Sequence, residues 1–164
     1  MTTTNQQRGN LARQHGQEFE VYARKECRDL LKADRALVQK NWEAPTVPGE
    51  HFKREKSKPD FSGFLPDSRH VIFECKATLS KTSFPFSNIT DHQWAYLDRA
   101  HTAGSISFLY VLDGQRQKWV VPWKRVKFIS LERSSFPFAD EVYRKRRGET
   151  WLDTWHRVEL EGLT

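Results

Sequence analysis

The chain has 164 residues, with 27 Lys plus Arg against 21 Asp plus Glu for a formal net charge of +6. Hydrophobic residues make up 37% of it and aromatics 13%, enough for a packed core and too much for a charge-dominated disordered chain. The apolar run Ser105–Leu112 is far short of the roughly 20 residues a membrane helix needs, the opening ten residues are polar and hold no signal-peptide region, and Cys27 and Cys75 are too few for a disulfide framework or a Cys-based zinc site. Membrane, secreted and zinc-finger classes drop out, which leaves a small basic protein expected in the cytoplasm. Its charge favours polyanionic partners without specifying any chemistry.

Residues 1–9 read as a flexible polar arm, and 10–164 as a single domain without repeats. From about Asn10 to Asp34 the apolar residues Leu11, Phe19, Tyr22, Ala23, Cys27, Leu30 and Leu31 recur mostly at steps of three and four, predicting an amphipathic helix. Ala36–Trp42 alternates weakly, as a strand does. Residues 44–58, with Pro45, Pro48, Gly49 and a basic run, read as a short stalk-like solvated loop. Asp60–Leu65 and Arg69–Ala77 predict two strands joined by the turn residues Pro66, Asp67 and Ser68. Thr90 or Asp91 caps a helix running to Ala103, with Gly104 as its stop. Ser105–Leu112 reads as a buried strand, and Asp113-Gly114 as a turn into Lys118–Pro122. The last third reads as helical in pieces, for example over Ala139–Arg147 and around Trp151 and Trp155. The class is mixed α/β.

Chemistry concentrates between Pro59-Asp60 and Glu74-Cys75-Lys76. Strand side chains repeat every second residue, so Glu74 and Lys76 share a face while Cys75 points to the other, into the core. Two carboxylates from adjacent strands make a hard oxygen site suited to Mg²⁺. A neighbouring ammonium can orient an attacking water and offset charge on a phosphate, so Asp, Glu and Lys are a minimal set for metal-assisted phosphodiester hydrolysis. On these three residues alone, a solvated ion pair on an exposed sheet face fits equally well.

The Pro-Asp…Glu-x-Lys pattern resembles that of the PD-(D/E)xK nuclease superfamily, and the flanks resemble RecU-type Holliday-junction resolvases. The residues that carry the likeness are Asp60-Phe61-Ser62-Gly63, Phe73-Glu74-Cys75-Lys76-Ala77-Thr78, Lys81-Thr82-Ser83-Phe84-Pro85-Phe86, Asn88-Ile89 and Asp91-His92-Gln93. Upstream, Gly16-Gln17-Glu18-Phe19-Glu20 resembles the family's Gly-x-x-Leu-Glu on helix one. The resemblance implies a PD-(D/E)xK endonuclease-like α/β core, a mixed central sheet flanked by helices. It implies that Asp60 and Glu74 ligate Mg²⁺ (or Mn²⁺ in its place), with the main-chain carbonyl of Cys75 and Gln93 as further ligands. Lys76 would stabilise the transition state, and Glu20 would complete the acidic rim. Implied too are a homodimer, four-way junction DNA as substrate, and paired symmetric nicks leaving 5′-phosphates. Basic side chains assigned to DNA are Arg8, Arg13, Lys53, Arg54, Lys56, Lys58 and Lys81.

Two departures stand out. Lys58-Pro59 replaces the Thr-Thr that often precedes the family's Asp, and the stalk segment is shorter than in cellular members, which points to a phage or mobile-element version. A less selective nuclease of the same superfamily, or a DNA-binding recombination factor without activity, remain the alternatives. Core packing is the expected role of Trp94, Trp119 and Trp123.

Overall fold

The computed structural model describes residues 5–41 and 58–164, the side chains of Asn5 and Arg8 excepted. Helix α1 (Asn5–Lys32) leads into strand β1 (Leu37–Lys40), then β2 (Phe61–Phe64) and β3 (His70–Ala77). A short strand β4 (Ser83–Pro85) precedes α2 (Asp91–Thr102), β5 (Ile106–Leu112), β6 (Lys118–Pro122) and α3 (Trp123–Ser130). Strand β7 (Ser135–Pro137), a 3-10 turn at Glu141–Tyr143 and α4 (Trp151–Leu160) complete the chain. The main sheet has five strands in the order β1-β2-β3-β5-β6, with β3 and β5 parallel and the other neighbours antiparallel. This is the mixed sheet flanked by helices that the sequence implied. Among the described residues no helix is long and apolar enough to cross a membrane.

Alternation along β3 divides the core. Val71, Phe73 and Cys75 face α1 and α4, where Phe61, Phe73 and Phe108 stack at centroid separations of 4.8 and 4.7 Å and Trp151 lies over them. Ile72 faces the other way, into a cluster with Leu97 of α2, Trp123 and Val126 of α3, and Phe84 and Phe136 of the β4–β7 ribbon. Burying Phe19, Ala23, Cys27 and Leu30 fixes one stripe of α1 on the sheet, at the spacing of a helix with one apolar face. Leu11 and Leu31, which share the same sequence pattern, are exposed instead. Glycine at 63 is required by proximity: a Cβ there would stand 1.9 Å from the carbonyl oxygen of Leu37 on β1.

Three expectations need revision. Helix α1 begins at Asn5, inside the stretch read as a polar arm. Ala139–Arg147 is not helical beyond its single 3-10 turn. Arg144 bridges to Trp119, and the Lys145 N–H donates to the Lys118 carbonyl at 2.7 Å. The open edge of β6 offers backbone partners that a helix would leave unused, and Arg157 of α4 clamps the segment through the carbonyls of Val142 and Arg144. The ribbon β4–β7 was not anticipated, while α3 fits the reading of the last third as helical in pieces. The stalk-like loop lies, apart from Lys58, outside the described residues. Trp119 and Trp123 are core residues as expected, and Trp94 packs edge-on against Trp123 at 4.7 Å.

Candidate functional site

On the α2 side of β3 the row that begins with Ile72 continues as Glu74 and then Lys76. The apolar cluster covers Ile72 and stops there, so the next two positions are free for polar chemistry. Glu74 is nevertheless 98% buried, its relative exposure being 2%. Asp60 immediately precedes β2, and the β2–β3 register ends at Phe61 opposite Phe73. Beyond that pair Pro59 has no N–H to continue the ladder, and the Asp60 carboxylate fills in by accepting the Cys75 N–H at 2.8 Å. Asp60 is thereby brought beside Glu74, close enough for each carboxyl to act on the other's titration.

Gln93 arrives from α2 by an N-terminal capping box. The Gln93 N–H donates to Thr90 Oγ1, and the Gln93 side-chain oxygen accepts the Thr90 N–H at 3.1 Å. That same oxygen accepts from Lys76 Nζ at 2.7 Å, while Gln93 Nε2 donates to Glu74 at 2.9 Å. One amide therefore spans a carboxylate and an ammonium that occupy alternate positions on one strand.

Burial raises the Glu74 pKa, and the negative charge of Asp60 raises it further. Burial also lifts Asp60, against the hydrogen bonds it accepts. A buried carboxyl and its half-buried neighbour thus both have their charged forms disfavoured, the electrostatic situation that a divalent cation would relieve. Among the described residues no three His, Cys, Asp or Glu side chains converge as a complete metal cage. A pair of carboxylates is a hard oxygen set that suits a cation keeping part of its water shell, and Gln93, expected as a further ligand, turns its amide nitrogen to Glu74 and its oxygen to Lys76.

Glu20 does not enter this cluster. It projects from α1 and forms an ion pair with Lys40 of β1. Its charge still acts on both Asp60 and Glu74. Lys40 escaped the sequence reading because a single lysine at a strand end carries no local signature. The Cys75 thiol lies in the core on the α1 side, and burial holds its pKa far above that of a reactive thiol.

A family model described as RecU, recombination protein U, matches residues 15–140. The chain belongs to the RecU family. It is similar to the Holliday junction resolvase RecU of Staphylococcus aureus strain JH9, at 36% identity over 89 residues that cover 49% of this chain and 42% of that one. The corresponding protein of strain MRSA252 is 35% identical over 89 residues, with the same coverage. The matched stretch thus spans under half the length of these curated relatives. A solved structure of Hjc from Archaeoglobus fulgidus, a Holliday junction resolvase, superimposes with a TM-score of 0.45 at 17% identity, covering 78% of this chain and 91% of that chain.

Asp60, Glu74, Lys76 and Gln93 all fall inside the stretch that matches the RecU family model, as does Glu20. Of the basic residues assigned to DNA, Lys53, Arg54 and Lys56 lie outside the described residues, and so does the Arg8 side chain. Arg13, Lys58 and Lys81 are described and exposed. Lys58 is two residues before Asp60. Lys81 sits in the loop after β3, which the Asp113-Gly114 turn braces: the Gly114 N–H donates to the Ser80 carbonyl at 2.8 Å, and a Cβ at 114 would stand 2.2 Å from the Leu79 carbonyl oxygen.

Proposed function

We propose that this RecU-family chain is a Mg²⁺-dependent endonuclease that resolves four-way DNA junctions by paired symmetric nicks. The observation that carries the proposal is the Asp60–Glu74 carboxyl pair beside Lys76, tied together by Gln93. A lone solvated ion pair does not account for that arrangement, because Glu74 is buried against a second carboxyl rather than opposite a lysine in water.

Asp60, Glu74 and the Cys75 main-chain carbonyl are the groups that would hold the cation. When bound, it would supply Lewis-acid charge at the scissile phosphate. The Lys76 ammonium, held in place by Gln93, stands where it can orient a water for in-line attack and offset charge on the phosphate oxygens. Gln93 holds Glu74 from the other side, so carboxylate and ammonium keep a fixed separation as charge develops. Exposed Lys58 and Lys81 flank this set as phosphate contacts that position DNA without reading sequence. Resolution takes two cuts on symmetry-related strands and each chain carries one such set, so the working form is a C2 homodimer acting on DNA in the cytoplasm.

The test is cleavage of a labelled mobile four-way junction and a matched linear duplex, with Mg²⁺ or with EDTA. Paired symmetric nicks on the junction alone, and only with Mg²⁺, are the expected result. Equal cutting of both substrates would make the chain a less selective nuclease. Binding without cutting in any divalent metal would leave a DNA-binding factor.

A further inference from the structure

Asp60 is fixed twice, and only one of the two attachments is explained by the site itself. Its carboxylate is held by β3 through the Cys75 N–H. Its main-chain carbonyl accepts the N–H of Asn41, at 2.8 Å, from the residue just after β1. The Asn41 side chain then reaches past the end of the β1–β2 pairing, whose last partners are Lys40 and Phe61. Its Nδ2 donates to the Pro59 carbonyl at 2.8 Å, and it is joined to Ser62 Oγ by contacts of 2.9 and 3.0 Å. One asparagine thus binds residue 59, residue 60 and residue 62, on both sides of the candidate metal ligand.

The position makes this more than a routine turn. Asn41 is the last described residue before residues 42–57 and Lys58 the first after them, so Asn41 and Pro59-Asp60 tie together the two described ends on either side of that segment. Pro59 is buried and has no N–H, so the strand ladder cannot continue through it. The Asn41 side chain carries the β1–β2 connection past that point on the β1 side, donating to the Pro59 carbonyl and joining Ser62 Oγ. Without it, the Asp60 backbone would be anchored on the β1 side by the single main-chain hydrogen bond from Asn41.

We propose that Asn41, with Ser62 as its partner, is a positioning residue that sets the Asp60 carboxylate for cation binding. The inference rests on the reading of Asp60 and Glu74 as metal ligands. Groups that orient a ligating carboxylate from behind typically change metal affinity by about 10–100-fold when removed. Ser62→Ala removes one of the two attachments of the Asn41 side chain and Asn41→Ala removes both, so the effects should be graded and non-additive when combined.

The test is calorimetric titration of Mn²⁺ into the wild-type chain, Asn41→Ala, Ser62→Ala and the double variant. It is paired with junction binding in EDTA, thermal melting in EDTA, and cleavage rate as a function of Mn²⁺ concentration. Asn41→Ala is expected to weaken Mn²⁺ binding about tenfold, leave junction binding unchanged, and regain wild-type cleavage at high Mn²⁺. Mn²⁺ affinity equal to wild type in Asn41→Ala, with or without a fall in melting temperature, overturns the inference and leaves the metal site standing. If Asn41→Ala does not fold, Ser62→Ala decides alone: weaker Mn²⁺ binding upholds the proposal and unchanged binding overturns it. A wild-type chain that takes no Mn²⁺ overturns both the nuclease reading and this inference.

Discussion

The N-termini of α2 and α4 are built by the same device and put to different ends. Each opens with a threonine whose hydroxyl accepts the N–H three residues on, and each returns the favour through the side chain of that residue, Gln93 in α2 and Asp153 in α4. In α2 the returning group is a neutral amide, which still has a donor for Glu74 and room on its oxygen for Lys76. In α4 it is a carboxylate, which accepts from Thr150 and pairs with Arg35 beyond α1 at 2.6 Å. A carboxylate at 93 would put a third negative charge beside the Asp60–Glu74 pair, and an amide at 153 would lose the guanidinium. One cap aims a site and the other fastens the last helix to the body, and the difference is one functional group.

The comparison is broken most severely at the site itself. Asp60→Ala, Glu74→Ala and Lys76→Ala should each lower junction cleavage by about 10³-fold, with binding in EDTA retained, as read by gel assays of cutting and mobility. Near-normal cutting by any of them would remove that residue from the set. Gln93→Glu, which gives α2 the acidic group of α4, should lower cleavage by about 10²-fold while the helix stays capped, measured as kcat at saturating metal alongside far-UV circular dichroism.

Matched truncations of the two caps sharpen the contrast. Thr90→Ala and Thr150→Ala should each cost about 1 kcal/mol in denaturant unfolding. Only Thr90→Ala should also slow cleavage, because only there does the cap orient a group of the site. Equal cleavage by both variants would show that Gln93 is held by Glu74 and Lys76 without help from its cap.

The smallest effect is the share of the pH dependence that comes from the start of α4. Burial would raise the Asp153 pKa, but the hydrogen bonds from Arg35 and Thr150 outweigh it and hold the group at about 2, below its ordinary 3.8. A depressed carboxylate contributes stability above its unfolded pKa and loses it as pH falls through the folded one, so the loss runs from about pH 4 down to about pH 2. The Arg35 and Asp153 side chains are 40% and 33% exposed, which limits the contribution to about 1 kcal/mol. Melting temperatures across that window should fall less steeply in Asp153→Asn than in the wild type. Parallel slopes would assign the acid sensitivity elsewhere.

Much of the site could be read from local order. Period-two alternation placed Glu74 and Lys76 on one face and Cys75 on the other, because successive strand side chains alternate whatever the sheet packs against. Thr90, with Gln three residues on, marks a helix start, because the cap satisfies backbone donors locally. Asp113-Gly114 and Gly104 marked turns for equally local reasons, Gly104 having a φ of +87°. Elements that depend on remote partners were not legible. Residues after Ala139 carry helix-compatible sequence yet lie along β6, because an open strand edge supplies partners that no local pattern announces. The exposed Leu11 and Leu31 belong to the same pattern as buried Leu30, and only the sheet beneath α1 distinguishes them.

What the sequence determined by itself is therefore the direction of each side chain within its own strand or helix, together with the family to which the pattern belongs. The tertiary structure alone decided which directions meet. It paired Glu20 with Lys40, brought Gln93 between Glu74 and Lys76, and set Asn41 against Asp60 across residues 42–57 of the sequence. Side-chain direction follows from backbone geometry over a few residues, whereas those meetings are long-range contacts that exist only once the strands have paired and the helices have packed on them.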